Sequence, residues 1–246
     1  MKLLNKIYYK NKIAFTLIWI FIYILGFSLG DYLSSLIKIN KLFTLIIGVI
    51  LSLILLLFLK KNNLFTTYGL NKTNISNRYM LFYLPCIIML SSNIIFGVTL
   101  LYSPLETILY ILSMFCVGFL EEVIFRGLLF NSMKEDNLKV AIIVSSLTFG
   151  IGHIVNIFNG SSSNIILTLL QIIYATGAGF MFVMIYYRSN SILPCIIFHA
   201  IFNGLSAFSK SSNDILLDVL SCIILTLITG GYAIYLACKK VKTNNL

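Results

Sequence analysis

Apolar positions come in long unbroken runs along this chain, with short polar stretches between them. Eight such runs lie near residues 13–30, 42–59, 79–101, 105–130, 140–158, 164–187, 191–208 and 214–238. A hydrocarbon core about 30 Å thick accepts roughly 20 apolar residues as one helix, so each run predicts a membrane-spanning helix. The runs are too long for strands and lack polar alternation. They predict an all-α fold, a polytopic transmembrane bundle of about eight spans. No internal repeat or linker divides the chain, so residues 1–246 read as one transmembrane domain with its motif-bearing core at 104–208. Pro104 and Pro194 fall at the starts of runs, where a missing N–H costs little. Pro85 falls within the third run and is expected to kink it. Gly177 and Gly179 predict close approach of a neighbour to the sixth.

Composition changes this picture by exclusion. Of 246 residues, 59% are hydrophobic and only 11% charged, and the mean hydropathy is +0.97. A soluble domain carries roughly 25% charged residues, so a soluble fold is excluded. The first run follows a lysine-bearing leader but is longer than a signal-peptide core and lacks a small-x-small cleavage site, which predicts a retained span. The large aromatic load reads as lipid-facing surface and interface belt. The five cysteines form no CxxC pair and read as buried apolar residues.

The net charge of +10 has a distribution as well as a size. With the N-terminus inside, the inner segments hold Lys2, Lys6, Lys10, Lys12, Lys60, Lys61, Lys72, Arg78, Lys134, Lys139, Arg188, Lys239, Lys240 and Lys242. The outer segments hold only Lys38, Lys41 and Lys210. This asymmetry predicts both termini cytoplasmic and a multi-pass protein of the plasma membrane. The basic balance is thus a topology signal and an attraction to anionic headgroups, with no need for nucleic acid.

Of the eight acidic residues, six lie in loops or at span ends; the other two, Glu121 and Glu122, lie within a span in FLEEVIFRGLLF. Both histidines, His153 and His199, also fall within spans. Charges at membrane depth cost several kcal/mol each and mark function. Glu122 and Arg126 stand at i,i+4 and can pair, while Glu121 points about 100° away on a helix, free to face something else. His199 and Asn203 share a face, as do Phe149 and His153, a face that Gly150 and Gly152 would keep open. Counted from the basic ends, Glu121 and His199 lie roughly 12 to 15 Å deep and His153 roughly 20 Å. The bland alternative for these groups is a structural ion pair and helix-to-helix hydrogen bonding.

The three motifs EEVIFR, FGIGH and HAIFN match E-E-x-x-x-R, F-x-x-x-H and H-x-x-x-N in that order. In this they resemble the CPBP family of intramembrane proteases, which includes the CAAX prenyl endopeptidases and bacterial Abi-type proteins linked to bacteriocin processing and immunity. The resemblance implies an intramembrane endopeptidase whose site opens to the cytoplasmic side. It casts Glu121 as general base on a water and His153 as the group that helps hold it. His199 and Asn203 would be donors to the developing oxyanion, and Glu122 would orient the site through Arg126. Glu121, His153 and His199 also make a possible zinc set, although the spacing is not HExxH and Asn203 is a poor zinc ligand. A glutamate mechanism with no cofactor is the favoured expectation over zinc. The expected partners are the lipid bilayer and a membrane-associated peptide or protein substrate. A peptide-processing or bacteriocin-immunity role fits the Ile-, Asn- and Lys-rich composition better than maturation of prenylated proteins. Two other classes stay open: a proton-coupled carrier using the same Glu and His residues, and a non-catalytic membrane binding partner.

Overall fold

The computed structural model describes residues 2–76, 82–158, 165–210 and 212–238. Arg78, Lys239, Lys240 and Lys242, counted above in the charge asymmetry, lie outside the described residues, as does the start of the third run. The described residues are mostly helical along their apolar runs and contain no strand, only an isolated bridge between Val98 and Ser209.

Among the described residues six helices are long and apolar enough to cross a membrane: α2 (Lys12–Leu36), α3 (Leu42–Lys61), α5 (Pro104–Met133), α6 (Leu138–Ile157 with its terminal turns), α7 (Ile165–Ser189) and α9 (Ile215–Cys238). A short amphipathic α1 (Lys2–Lys10) precedes them. The remaining two runs form shorter helices, α4 (Leu84–Ile94) and α8 (Leu193–Phe208). The expected third span is cut short after Ile94, where Gly97 adopts φ 101° and Val98 pairs with Ser209. Pro85 does not kink this helix; it sits in its first turn, where the chain needs no amide hydrogen there.

Local chemistry sets the helix starts. Ser103 and Glu106 form a reciprocal capping box around Pro104 at the start of α5. Asn11 caps α2 through Ala14 N, and Asn137 caps α6 through Val140 N. Glu106 also accepts from the backbone and side-chain amides of Asn40, tying the α2–α3 turn to the start of α5.

Contacts between loops sort the bundle into two ends. At one end Asn62 donates to Asn5, Ile192 N to the Gly69 carbonyl, Asn71 to the Asn190 carbonyl, and Arg188 to the carbonyls of Leu236 and Ala237. At the other, Asn40 meets Glu106, Lys41 pairs with Asp31, and Tyr110 meets Ser206. Helices therefore alternate in direction, and α1 and the last turn of α9 share the first end. That end carries the described lysines and arginines assigned above to the inner segments, so we call it the basic end.

Small residues let the central helices touch. A Cβ on Gly118 of α5 would lie 2.9 Å from the Ala200 amide nitrogen of α8, a separation no real side chain tolerates. Gly179 of α7 meets the Ser146 carbonyl of α6 in the same way, and Gly177 meets Thr229 of α9, as their spacing predicts. Gly150 departs from expectation: its face is filled by Thr176 of α7, whereas Gly152 does face open space.

Candidate active site

The inner half of α5, Glu122–Phe130, is wound as a π-helix, and every one of its residues is buried. Such i→i+5 winding is uncommon and concentrates at functional sites. It begins directly after Glu121, so the two adjacent glutamates enter different surroundings. Glu122 is fully buried. Its Oε1 accepts from Arg126 Nη1 at 3.0 Å and from His199 Nδ1 at 2.8 Å. The buried Arg126 guanidinium lies over the Phe149 ring, 4.0 Å from its centroid, with the Phe182 ring at 5.7 Å. These π-faces give the desolvated cation partners other than water. Both rings also hold His199, Phe149 edge-on at 5.6 Å and Phe182 near-parallel at 6.0 Å.

Since His199 Nδ1 donates to Glu122, its Nε2 is the nitrogen left to work. That atom faces Glu121 Oε2 at 3.5 Å, and Oε2 is buried with no hydrogen-bond partner within the protein. The other oxygen, Oε1, accepts from the phenol of Tyr23 on α2 at 2.5 Å. Glu121 lines a cavity of about 530 Å³ together with Tyr23, His153 and Asn203. His153 caps the continuous Leu138–Gly152 stretch of α6, with Nδ1 on the Phe149 carbonyl at 3.1 Å and its ring edge-on to Phe149 at 5.4 Å. Phe149 therefore separates the two imidazoles and touches both.

The six residues expected from sequence thus divide into two connected groups. Glu121, Glu122, Arg126 and His199 form one chain of polar contacts. His153 and Asn203 join it by facing the same cavity as Glu121. Asn93 and Gln171, polar residues in spans, line this cavity too, and each also pairs locally, Asn93 with the Phe202 carbonyl and Gln171 with Asn156.

From Glu121 the greater part of the cavity runs away from the basic end, past Tyr110 and Ser206 to Asp31 and Lys41. One expectation is corrected. The aromatic load is not simply lipid-facing: Phe15, Phe58, Phe130 and Phe182 are almost wholly buried, and Tyr23 meets the central carboxylate. Sequence reasoning missed Tyr23 because nothing in FIYILGF separates it from its aromatic neighbours; its partner is 98 residues away.

The fit of a metal can be tested on the donors. Among the described residues no group of three His, Cys, Asp or Glu side chains converges as a metal-holding set. The Glu121, His153 and His199 combination does not do so in this arrangement, and the chemistry below is derived without an ion.

Residues 103–205 match the family model of the type II CAAX prenyl endopeptidase, Rce1-like. The matched stretch spans all three motifs, and it is the CPBP/CAAX protease family that they resemble. No curated protein matches the chain.

Proposed function

Proceeding from that match, which makes an intramembrane protease the coarse reading of this multi-pass membrane chain, we propose that it hydrolyses a peptide bond of a membrane-associated peptide or protein by glutamate-activated water. The supporting observation is the asymmetry of Glu121 beside the cavity it lines: one oxygen is tied to Tyr23, while the other is buried without a hydrogen-bond partner in the protein and faces His199 Nε2.

In this reading a water in the cavity sits against the Glu121 carboxylate, within reach of His153. Glu121 takes its proton as the oxygen adds to the scissile carbonyl carbon. The Asn203 amide donates to the oxygen that becomes negative, a role worth about 3 to 4 kcal/mol per donor. Glu121 then passes the proton to the departing nitrogen, the C–N bond breaks, and the products are a carboxylate and an amine. Glu122 does not meet the substrate. It fixes the His199 ring through Nδ1, so Nε2 carries a proton only in the imidazolium form and donates to Glu121 or the oxyanion in that form alone. Arg126 neutralises Glu122 in a place where water cannot.

The basic end is assigned to the cytoplasm by the positive-inside asymmetry, and the protein to the plasma membrane. The physiological role assigned is peptide processing or bacteriocin immunity. The direct test is Glu121→Gln in purified protein reconstituted in vesicles, with a reporter peptide identified by mass spectrometry of membrane-associated peptides. Cleavage should vanish while the protein still inserts and melts as the wild type does. Unchanged cleavage would remove Glu121 from the chemistry and the reading with it. Exhaustive chelation tests the metal-free step separately, with activity expected to survive.

A further inference from the structure

Tyr23 lies on α2, far outside the segment 103–205 that carries the family match, yet its phenol makes the shortest contact Glu121 has with any side chain. Resting on the proposed role of Glu121, we infer that Tyr23 is a positioning residue for that carboxylate. It donates to Oε1 and so fixes the plane in which Oε2 faces His199 Nε2.

Three observations carry this. First, a carboxylate on a helix turns about its last two side-chain bonds, and a strong donor on one oxygen removes that freedom. The contact at 2.5 Å is in the range of an O–H donor to an ionised acceptor. Second, the two oxygens of Glu121 are not equivalent: Oε1 holds the phenol, and Oε2 has no hydrogen-bond partner in the protein and looks at His199 Nε2. Third, α2 is placed for this purpose. It packs on α1, on α3 and on the π-wound stretch of α5. Gly30 presses it against the Thr44 backbone of α3, where a Cβ would come within 2.7 Å. Tyr23 itself packs on Phe27, with ring centroids 4.7 Å apart. Of the other phenols lining the cavity, Tyr110 is already bonded to Ser206 and lies about 16 Å along the helix from Glu121, and Tyr174 on α7 packs on Phe202. Tyr23 is therefore the phenol that serves the carboxylate.

A residue that orients the base without touching substrate should alter turnover and spare binding. Tyr23→Phe removes one oxygen atom and keeps the ring packing, so the variant is expected to melt as the wild type does. Its kcat should fall about tenfold to a hundredfold, the range for losing a hydrogen bond to a charged group, with KM within about twofold of wild type. Glu121→Asp draws the carboxylate back from Tyr23, so the double variant Tyr23→Phe/Glu121→Asp should be no slower than Glu121→Asp alone. A readout free of turnover uses protein labelled with 3-fluorotyrosine, in which the Tyr23 resonance is identified by its loss in Tyr23→Phe. That resonance should shift in Glu121→Gln.

An unmoved resonance overturns the inference whatever the activity shows. So does a Tyr23→Phe enzyme with wild-type kcat while Glu121→Gln is dead, which leaves the protease reading standing. Wild-type cleavage by Glu121→Gln overturns the reading and this inference together.

Discussion

Glu121 and Glu122 are neighbours in sequence, and the structure gives them unlike surroundings. Glu122 and Arg126 are both fully buried and the guanidinium keeps two of its nitrogens without protein hydrogen bonds, so this pair is held by charge and ring contacts more than by a complete network. Removing one partner of such a pair leaves an uncompensated charge, which costs about 3–5 kcal/mol. Arg126→Ala is therefore expected to lower the melting temperature in detergent sharply or to abolish accumulation of folded protein. Glu121→Gln should leave the melt nearly unchanged, because Glu121 borders the cavity and a glutamine oxygen can still accept from Tyr23. These carboxylates, the arginine and the histidines were legible in the sequence for one physical reason: ionisable groups are rare in oil, so the few present identify themselves. Tyr23 was not, since a tyrosine in a first span is as often an interface anchor, and only packing reveals its partner.

The meeting of α5 with α8 decides whether the residue-scale geometry can exist. Gly118 sits one turn before Glu122, against the Ala200 backbone, and Ala200 adjoins His199. A methyl group at 118 meets backbone atoms that cannot swing aside, so the helices must part. Overpacking of this kind costs about 1–3 kcal/mol, and the 2.8 Å bond from His199 to Glu122 would lengthen with it. Gly118→Ala should lower both the melting temperature and cleavage. Gly152→Ala is the control: nothing lies within 4 Å of its Cβ position, and its melt should match wild type. Helix existence followed from hydropathy, and so did the pairing of Glu122 with Arg126. The π-winding of 122–130 left no mark in the sequence, because an i→i+5 bond is chosen by what surrounds the helix. The early end of α4 was hidden similarly: Ile95, Val98, Leu100 and Leu101 are apolar enough to extend a span, and the turn at Gly97 ends it.

Across the whole molecule, lysines and arginines gather at one end while most of the cavity lies toward the other, and the two facts pull on orientation in opposite ways. In the proposed orientation, argued from the charge asymmetry, the basic end is inside. The cavity then reaches from Glu121 toward Asp31 and Lys41 on the outer side, away from the cytoplasmic approach that motif depth alone suggested. Cysteine labelling in intact cells separates these, in a background lacking the five native cysteines. Ser35→Cys, exposed near the end of α2, should react with a membrane-impermeant maleimide from outside, and Lys61→Cys only after permeabilisation. Ser28→Cys is the informative site, because Ser28 lines the cavity one turn short of Asp31. Labelling of Ser28→Cys from outside, slowed by a bound peptide, would mean that water and substrate reach Glu121 along the Asp31–Lys41 lobe. Labelling only after permeabilisation, with Ser35→Cys still reactive from outside, would mean that this lobe is sealed and that the peptide reaches the carboxylate from the basic end, past Leu17 and Phe125.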